Sequence, residues 1–336
     1  MAPCAHDHFV DKSDSEKIFE RTRLGDERYA RESLELAGNT GATDEVTRVT
    51  DGFRAGVRLR RIGRHLRHWR EKAGMRGADA AARLKWSPSK ISKMEHAAQA
   101  VMPVDVLALG LVYSVDPEER DRLFEDAQRA TQGGWWQEYA EDELIEITRD
   151  YLELESEATF LRTFKTDLIP GLLQTPDYAA ALAQAALPKA DEETLRRRIE
   201  VRMTRQERLL EGKNPLRIEA VIGEAALRTA VGGTATMCAQ LQTLAEFANW
   251  PNITIQVIPF EAGANPAMGS PFDLLGFAEE HYDDVAYVEN LGYGLLLEEF
   301  ATVESYKLHF TGQREVALDP DASIAMIAEA VKAAGR

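Results

Sequence analysis

The sequence predicts a mainly α chain, α+β overall, in which five short N-terminal helices precede an α+β domain with a small sheet. Three observations predict it: basic residues concentrated in one block, short amphipathic helix patterns from Val57 onward, and strand-like runs that begin only at Leu216. At 336 residues, with 44% hydrophobic and 29% charged residues, the chain is long enough for two domains with adequate cores.

The charge is unevenly placed. From Gly52 to Gln99 there are thirteen basic residues and three acids, so this block carries +10; with −16 in total, the remainder carries −26. A compact basic module on an acidic body is the signature of a polyanion binder whose other domain does something else. No apolar run approaches the twenty or so residues of a membrane span, the first thirty residues lack a signal-like apolar core, and Cys4 and Cys238 are too isolated for a disulfide framework. A cytoplasmic chain is expected, with no cofactor, metal or membrane partner.

Residues 1–52 show no sustained apolar period and are expected to be a loosely attached extension, with one possible helix from Ser15 to Leu36. Cys4, His6, Asp7 and His8 lack a second ligand pair at zinc spacing and are not taken as a metal site. In the expected domain over 53–132, Ile62, Leu66 and Trp69 fall on one helix face that Gly74 stops, and a second helix runs from about Ala78 to Leu84. Ser87 is a good N-cap with Pro88 at the first helical position, and Ile91 and Met94 point inward from the helix that follows. Helices from Pro103 and Pro117 complete the set.

Two short helices joined by a tight turn form a helix-turn-helix, whose second helix, Ser87 to His96, is placed to enter the DNA major groove. Ser87, Ser89, Lys90, Ser92 and Lys93 then become the readers of bases or nearby phosphates. Arg58, Arg60, Arg61, Arg64 and Arg76 are assigned to phosphates, the sequence-independent part of the affinity.

The segment LRHWREKAGMRGADAAARLKWSPSKISKMEHA resembles the lambda-repressor-like, XRE-type helix-turn-helix. The resemblance continues through GGWWQEY, YLELESEA, IPGLLQTPDYA, RMTRQERLL, GEAALRTAVGG, QVIPF and VAYVEN, the order seen in Scr1-type antitoxin-like transcriptional regulators of actinobacteria with a DUF5753 C-terminal domain. It implies a structural ion pair between Arg70 and Glu95 and a small DUF397-type protein as partner; a homodimer is expected separately, because one short module binds an operator weakly. This chain departs from the pattern at Lys85, which stands for the usual turn glycine, at Gly77, which stands for the usual phosphate-binding glutamine with Arg76 as its substitute, and at Ala80, which stands for a leucine.

The second domain is expected over 133–336. Its period reads as helical from Glu143 through Phe164, then as helices around TPDYAAALAQAAL and EETLRRRIEVRMTRQERLLEG, with strands LRIEAVIG, ITIQVIPF, PFDLLGF and VAYVEN and a closing helix. Trp135 and Trp136 are read as an apolar peg. In PGLLQTPDY, Leu172, Leu173, Gln174 and Tyr178 are the candidates for lining a pocket or partner surface. Arg198, Arg202 and Arg205 recur at near-helical spacing and are read as a solvated face paired with nearby acids, the alternative being an anion site, with Glu155 as a possible buried partner of one of them. Neither GxSxG, HExxH, P-loop nor dinucleotide fingerprint occurs, so no residues are assigned to catalysis. The alternative to a protein-partnered regulator is a metabolite sensor, which requires an apolar cavity with a few convergent polar groups between PGLLQT and the strands.

Overall fold

The N-terminal helices form because each supplies an apolar stripe to one shared core. A computed structural model describes residues 56–132, 134–139, 146–210, 215–266, 268–278, 283–290 and 293–335; the expected extension over 1–52, with its Ser15–Leu36 helix and its Cys4–His8 cluster, lies outside them. Helix α1 (Val57–Lys72) turns Ile62, Leu66 and Trp69 into that core, and the Trp69 indole N–H donates to Glu119 at 2.6 Å. Helix α2 (Gly77–Leu84) contributes Ala80 and Ala81, and α3 (Pro88–Glu95) contributes Ile91 and Met94. Helices α4 (Pro103–Val112) and α5 (Pro117–Gln132) close the cluster with Val106, Leu109, Leu123 and Ala127.

The turn between α2 and α3 sets the angle at which α3 is presented. Lys85 is left-handed, with φ 56° and ψ 36°, which costs a side-chain-bearing residue roughly 1–2 kcal/mol. Two backbone bonds offset it: Trp86 N–H reaches Ala81 O at 2.8 Å and Lys85 N–H reaches Ala82 O at 3.3 Å, which together make a Schellman ending. Ser87 then caps α3, its hydroxyl accepting from the Lys90 amide at 3.2 Å. Gly63 is required where α1 crosses the end of α3, because a Cβ there would lie 2.7 Å from Met94 O and 2.9 Å from Glu95 O.

The same crossing is pinned by charge. Arg70 donates to both Glu95 oxygens, at 2.7 and 2.9 Å, and to Met75 O at 3.1 Å, and the Glu95 side chain is 5% exposed. One guanidinium thus ties α1, the loop before α2 and the last turn of α3.

The second part begins with α6 (Glu146–Glu157) and β1 (Phe160–Lys165), and continues through α7 (Pro176–Ala186), α8 (Glu192–Gln206), β2 (Arg217–Gly223), α9 (Ala225–Arg228), α10 (Thr234–Phe247) and β3 (Ile253–Ile258). Strands β4 (Phe272–Gly276), β5 (Val285–Asn290) and β6 (Tyr293–Leu297) follow, then α11 (Phe300–Val316) and α12 (Pro320–Ala334). The six strands form one mixed sheet in the order β3-β2-β1-β4-β5-β6, with β1, β2 and β3 parallel and the β1–β4, β4–β5 and β5–β6 pairs antiparallel.

The helical reading through Phe164 is corrected here. Helix α6 stops at Glu157, and FLRTFK is β1, paired on both edges and therefore central to the sheet. Its apolar residues suit a helical period equally well, and what decides is pairing with strands far along the chain. Both faces are covered. Leu161, Ala220, Ile222 and Val285 meet Tyr178, Leu241 and Ile327 from α7, α10 and α12, whereas Phe164, Val221, Phe272 and Leu274 meet Val303 and Phe310 of α11. Trp136, in a short turn before α6, packs on Leu152 and Val201. No helix among the described residues is long and apolar enough to cross a membrane.

Glu95→Ala removes one partner of an enclosed ion pair and strands the Arg70 charge, which costs on the order of 3 kcal/mol. Thermal or urea unfolding of the full chain without DNA is expected to show that loss.

Candidate functional site

Helix α3 stands with one face open. Ser87, Ser89, Ser92 and Lys93 are exposed there, while Ile91, Met94 and Glu95 are turned inward. Ser89 and Lys93 are one turn apart and share a side of the helix. Beside its N-terminus, Arg83 and Lys85 are exposed cations with no carboxylate partner among the described residues, and Arg76 is exposed with Asp79 at 3.0 Å. Sequence reasoning missed Arg83 and Lys85. The signal for Lys85 was present, since the residue just before the Trp86-Ser87 entry into α3 lies at the edge of whatever α3 touches.

Lys90, expected as a reader, has partners on the protein itself and is half-buried. Its ammonium is 2.7 Å from Asp105 at the start of α4 and lies 3.7 Å over the Trp86 ring, so it is held against the protein. Asp105 also accepts from the Met102 amide at 3.2 Å, which fixes the carboxylate as the cap of α4. One carboxylate and a ring face draw the ammonium toward α4 and Trp86.

The arginines of α1 are the second correction. Arg58, Arg60, Arg61 and Arg64 were assigned to phosphates, and the structure places all four on acids or carbonyls of the α+β part, with Arg64 still 54% exposed. Arg58 pairs with Glu157 and lies 3.8 Å from Glu153. Arg60 meets Asp150 at 2.6 Å, and the Val57 amide donates to the same carboxylate at 3.2 Å. Arg61 reaches Glu298 at 3.3 Å and Asp283 O at 3.1 Å and lies 4.7 Å over the Phe277 ring; Arg64 grips both Glu298 oxygens at 2.7 and 3.2 Å. With side chains 9% and 7% exposed, Arg58 and Arg61 have no open face for DNA. The acids that neutralise them lie more than eighty residues away along the chain, so a count of charge along the sequence could not reveal it.

A cavity of about 500 Å³ lies on the sheet face opposite α11. Its floor is the row Thr163–Asp273–Tyr287, which runs across β1, β4 and β5, together with Leu161, Lys165 and Glu289; its roof is the Ile169–Gln174 loop with α7 and α8. Of the four residues expected here, Leu172 and Gln174 line it. Leu173 and Tyr178 do not, because both are enclosed in the core, where the Tyr178 hydroxyl accepts from the Ile169 amide at 3.3 Å and burial pushes its ionisation up.

The reading of Arg198, Arg202 and Arg205 as a solvated face is corrected as well. All three line the cavity. Arg205 is bidentate on buried Glu155 at 2.6 and 2.7 Å, and Arg202 donates to the Gln174 side-chain oxygen at 2.5 Å.

Glu298 gives the α1 seam a pH signature. Burial pushes its carboxyl up, but Arg64 and Arg61 outweigh burial and hold it below the usual 4.5. A lowered folded value means that the stabilisation is complete above 4.5 and is lost as pH falls through that folded value. Glu298→Gln is therefore expected to destabilise the full chain at neutral pH, with the difference from the unmutated chain shrinking on acidification in parallel thermal melts.

A family model described as a helix-turn-helix domain matches residues 61–123, and one described as a domain of unknown function, DUF5753, matches residues 148–329. A search of curated proteins returned no match. A search of solved structures also returned none. With the second model spanning more than half of the sequence, the chain belongs to the DUF5753 family, here behind a helix-turn-helix DNA-binding domain.

Proposed function

We propose that this protein is a sequence-specific, antitoxin-like transcriptional regulator that reads an operator with α3 and is modulated through its α+β domain. The observation that carries the reading is the open face of α3, with Ser89, Ser92 and Lys93 outward and Arg83 and Lys85 beside its N-terminus, within a matched helix-turn-helix. Serine serves base or phosphate, and lysine donates to guanine O6 and N7. Arg76, Arg83 and Lys85 supply the salt-sensitive phosphate term. The domain division proposed is an N-terminal extension over 1–52, the DNA-binding module over 53–132 and the regulatory domain over 133–336.

One short module gives a weak grip on DNA, so the operator is read by a homodimer on a two-fold site. The exposed apolar side chains of α4, Met102, Val104 and Leu111, support a second copy as their cover. A small DUF397-type protein is the modulating partner proposed from the family likeness. A second reading, a metabolite sensor, is favoured by one specific observation, the cavity between the PGLLQT loop and the strands.

Genomic footprinting supplies the operator. On it, Lys93→Ala is expected to weaken binding by about 1–3 kcal/mol while random DNA loses far less. Lys85→Ala is expected to weaken both alike and to reduce the salt slope by about one. Equal losses on operator and random DNA for Lys93→Ala would show that α3 is not the reader.

A further inference from the structure

Two guanidinium groups face the cavity without a carboxylate to meet them. Arg198 and Arg202 lie one turn apart on α8 and both line it. Arg202 has one neutral partner, the Gln174 side-chain oxygen, and Arg198 Nε is enclosed with no hydrogen-bond partner. Neither forms an ion pair among the described residues, in a chain whose formal charge is −16. Other enclosed arginines have an anion or a backbone carbonyl: Arg205 has Glu155, Arg70 has Glu95 and Arg58 has Glu157, while Arg208 donates to Ala158 O and Arg149 to Tyr139 O.

The acids around the cavity do not fill the gap. Asp273 is held by Lys165 at 3.1 Å, by the Thr163 hydroxyl at 2.5 Å and by the Tyr151 hydroxyl at 3.4 Å. Asp167 is exposed and accepts from the neighbouring Thr166 hydroxyl, and Glu289 is exposed on β5 and pairs with neither arginine. Burial pushes Arg202 down to about 10, the neighbouring Arg205 charge acts in the same direction, and Glu289, too far away for an ion pair, offsets only part of it. An enclosed cation in such surroundings gains from an anion brought by a ligand.

The rest of the lining sets the shape of that ligand. Leu161, Leu172, Leu182, Leu187, Ile199 and Ile218 add apolar surface to the lining, and the volume matches that of a small organic molecule. We propose that this cavity binds a small organic acid, its carboxylate bridging Arg198 and Arg202 and its apolar body lying along α7 and the sheet face. The inference rests on reading the cavity as a small-molecule site and is independent of DNA binding. Gln174 carries the coupling: it accepts from Arg202 and donates to Ile169 O at 2.6 Å, so a carboxylate on Arg202 acts directly on the loop that roofs the site.

The test is calorimetric titration of the full chain, without DNA, with decanoate and 2-naphthoate against their neutral analogues decan-1-ol and 2-naphthamide. The expected result is saturable binding of at least one acid, at least about tenfold tighter than its neutral analogue, and a loss of about tenfold in Arg198→Gln. That variant removes a guanidinium with no partner among the described residues, so its own melting temperature is expected not to fall, which separates loss of anion binding from loss of fold. Acids and neutral analogues binding equally, or Arg198→Gln binding the acids as the unmutated chain does, would overturn the anion assignment and leave the cavity as an apolar site. No saturable binding of any of the four up to about 1 mM would overturn the cavity reading too, with the DNA-binding reading untouched.

Discussion

The guanidinium groups along one side of α1 meet carboxylates of the α+β part, and that electrostatic seam determines what the rest of the surface can do. Arg58, Arg60, Arg61 and Arg64 are held by Glu157, Asp150 and Glu298, with Glu153 nearby. Taking such charges out of water is costly, so a seam of this kind contributes less to net stability than to specifying one arrangement, and it penalises any arrangement that leaves a member unpaired. It also turns the basic block against the acidic body, so that much of the contrast between +10 and −26 is satisfied inside one chain.

What remains outside the seam is smaller and better placed than the whole block. Arg67, Arg70 and Arg76 have Glu71, Glu95 and Asp79, and Lys90 has Asp105. Lys72, Arg83, Lys85 and Lys93 have no such partner among the described residues, and three of these four flank or belong to α3. The exposed unpaired cations are therefore concentrated around the turn and α3, where the left-handed Lys85 both shapes the turn and presents a charge. The side chain that replaces the usual glycine carries a local conformational cost and adds charge at the point where a phosphate would come closest.

The N-terminal helices were legible because their signals are local: the spacing of Ile62, Leu66 and Trp69 and the Ser87-Pro88 start; the Arg70–Glu95 pair came only from the family resemblance. Strand β1 was not, because FLRTFK suits either period and only pairing with β2 and β4, more than fifty residues onward, makes it a central strand. The partners of Arg58, Arg61 and Lys90 were missed for the same reason, since charge along a sequence gives sign and density but not the partner. In the PGLLQT segment the chemistry was right for a cavity wall, yet Leu173 and Tyr178 turned inward because the core of the parallel strands needed them. The arginines of α8 were taken for a wet face because their spacing permits pairs along the helix, and only the packing of α8 over the sheet shows where they point.

The central claim is that α1 stays clasped to the acidic body while α3 meets DNA. Hydrogen exchange of the full chain, free and bound to its operator, tests it most directly. The account predicts added protection over Ser87 to His96 and unchanged exchange in the first two turns of α1 and in the last two turns of α6. Faster exchange in those turns on binding, with Arg58 and Arg61 released to the phosphates, would contradict it.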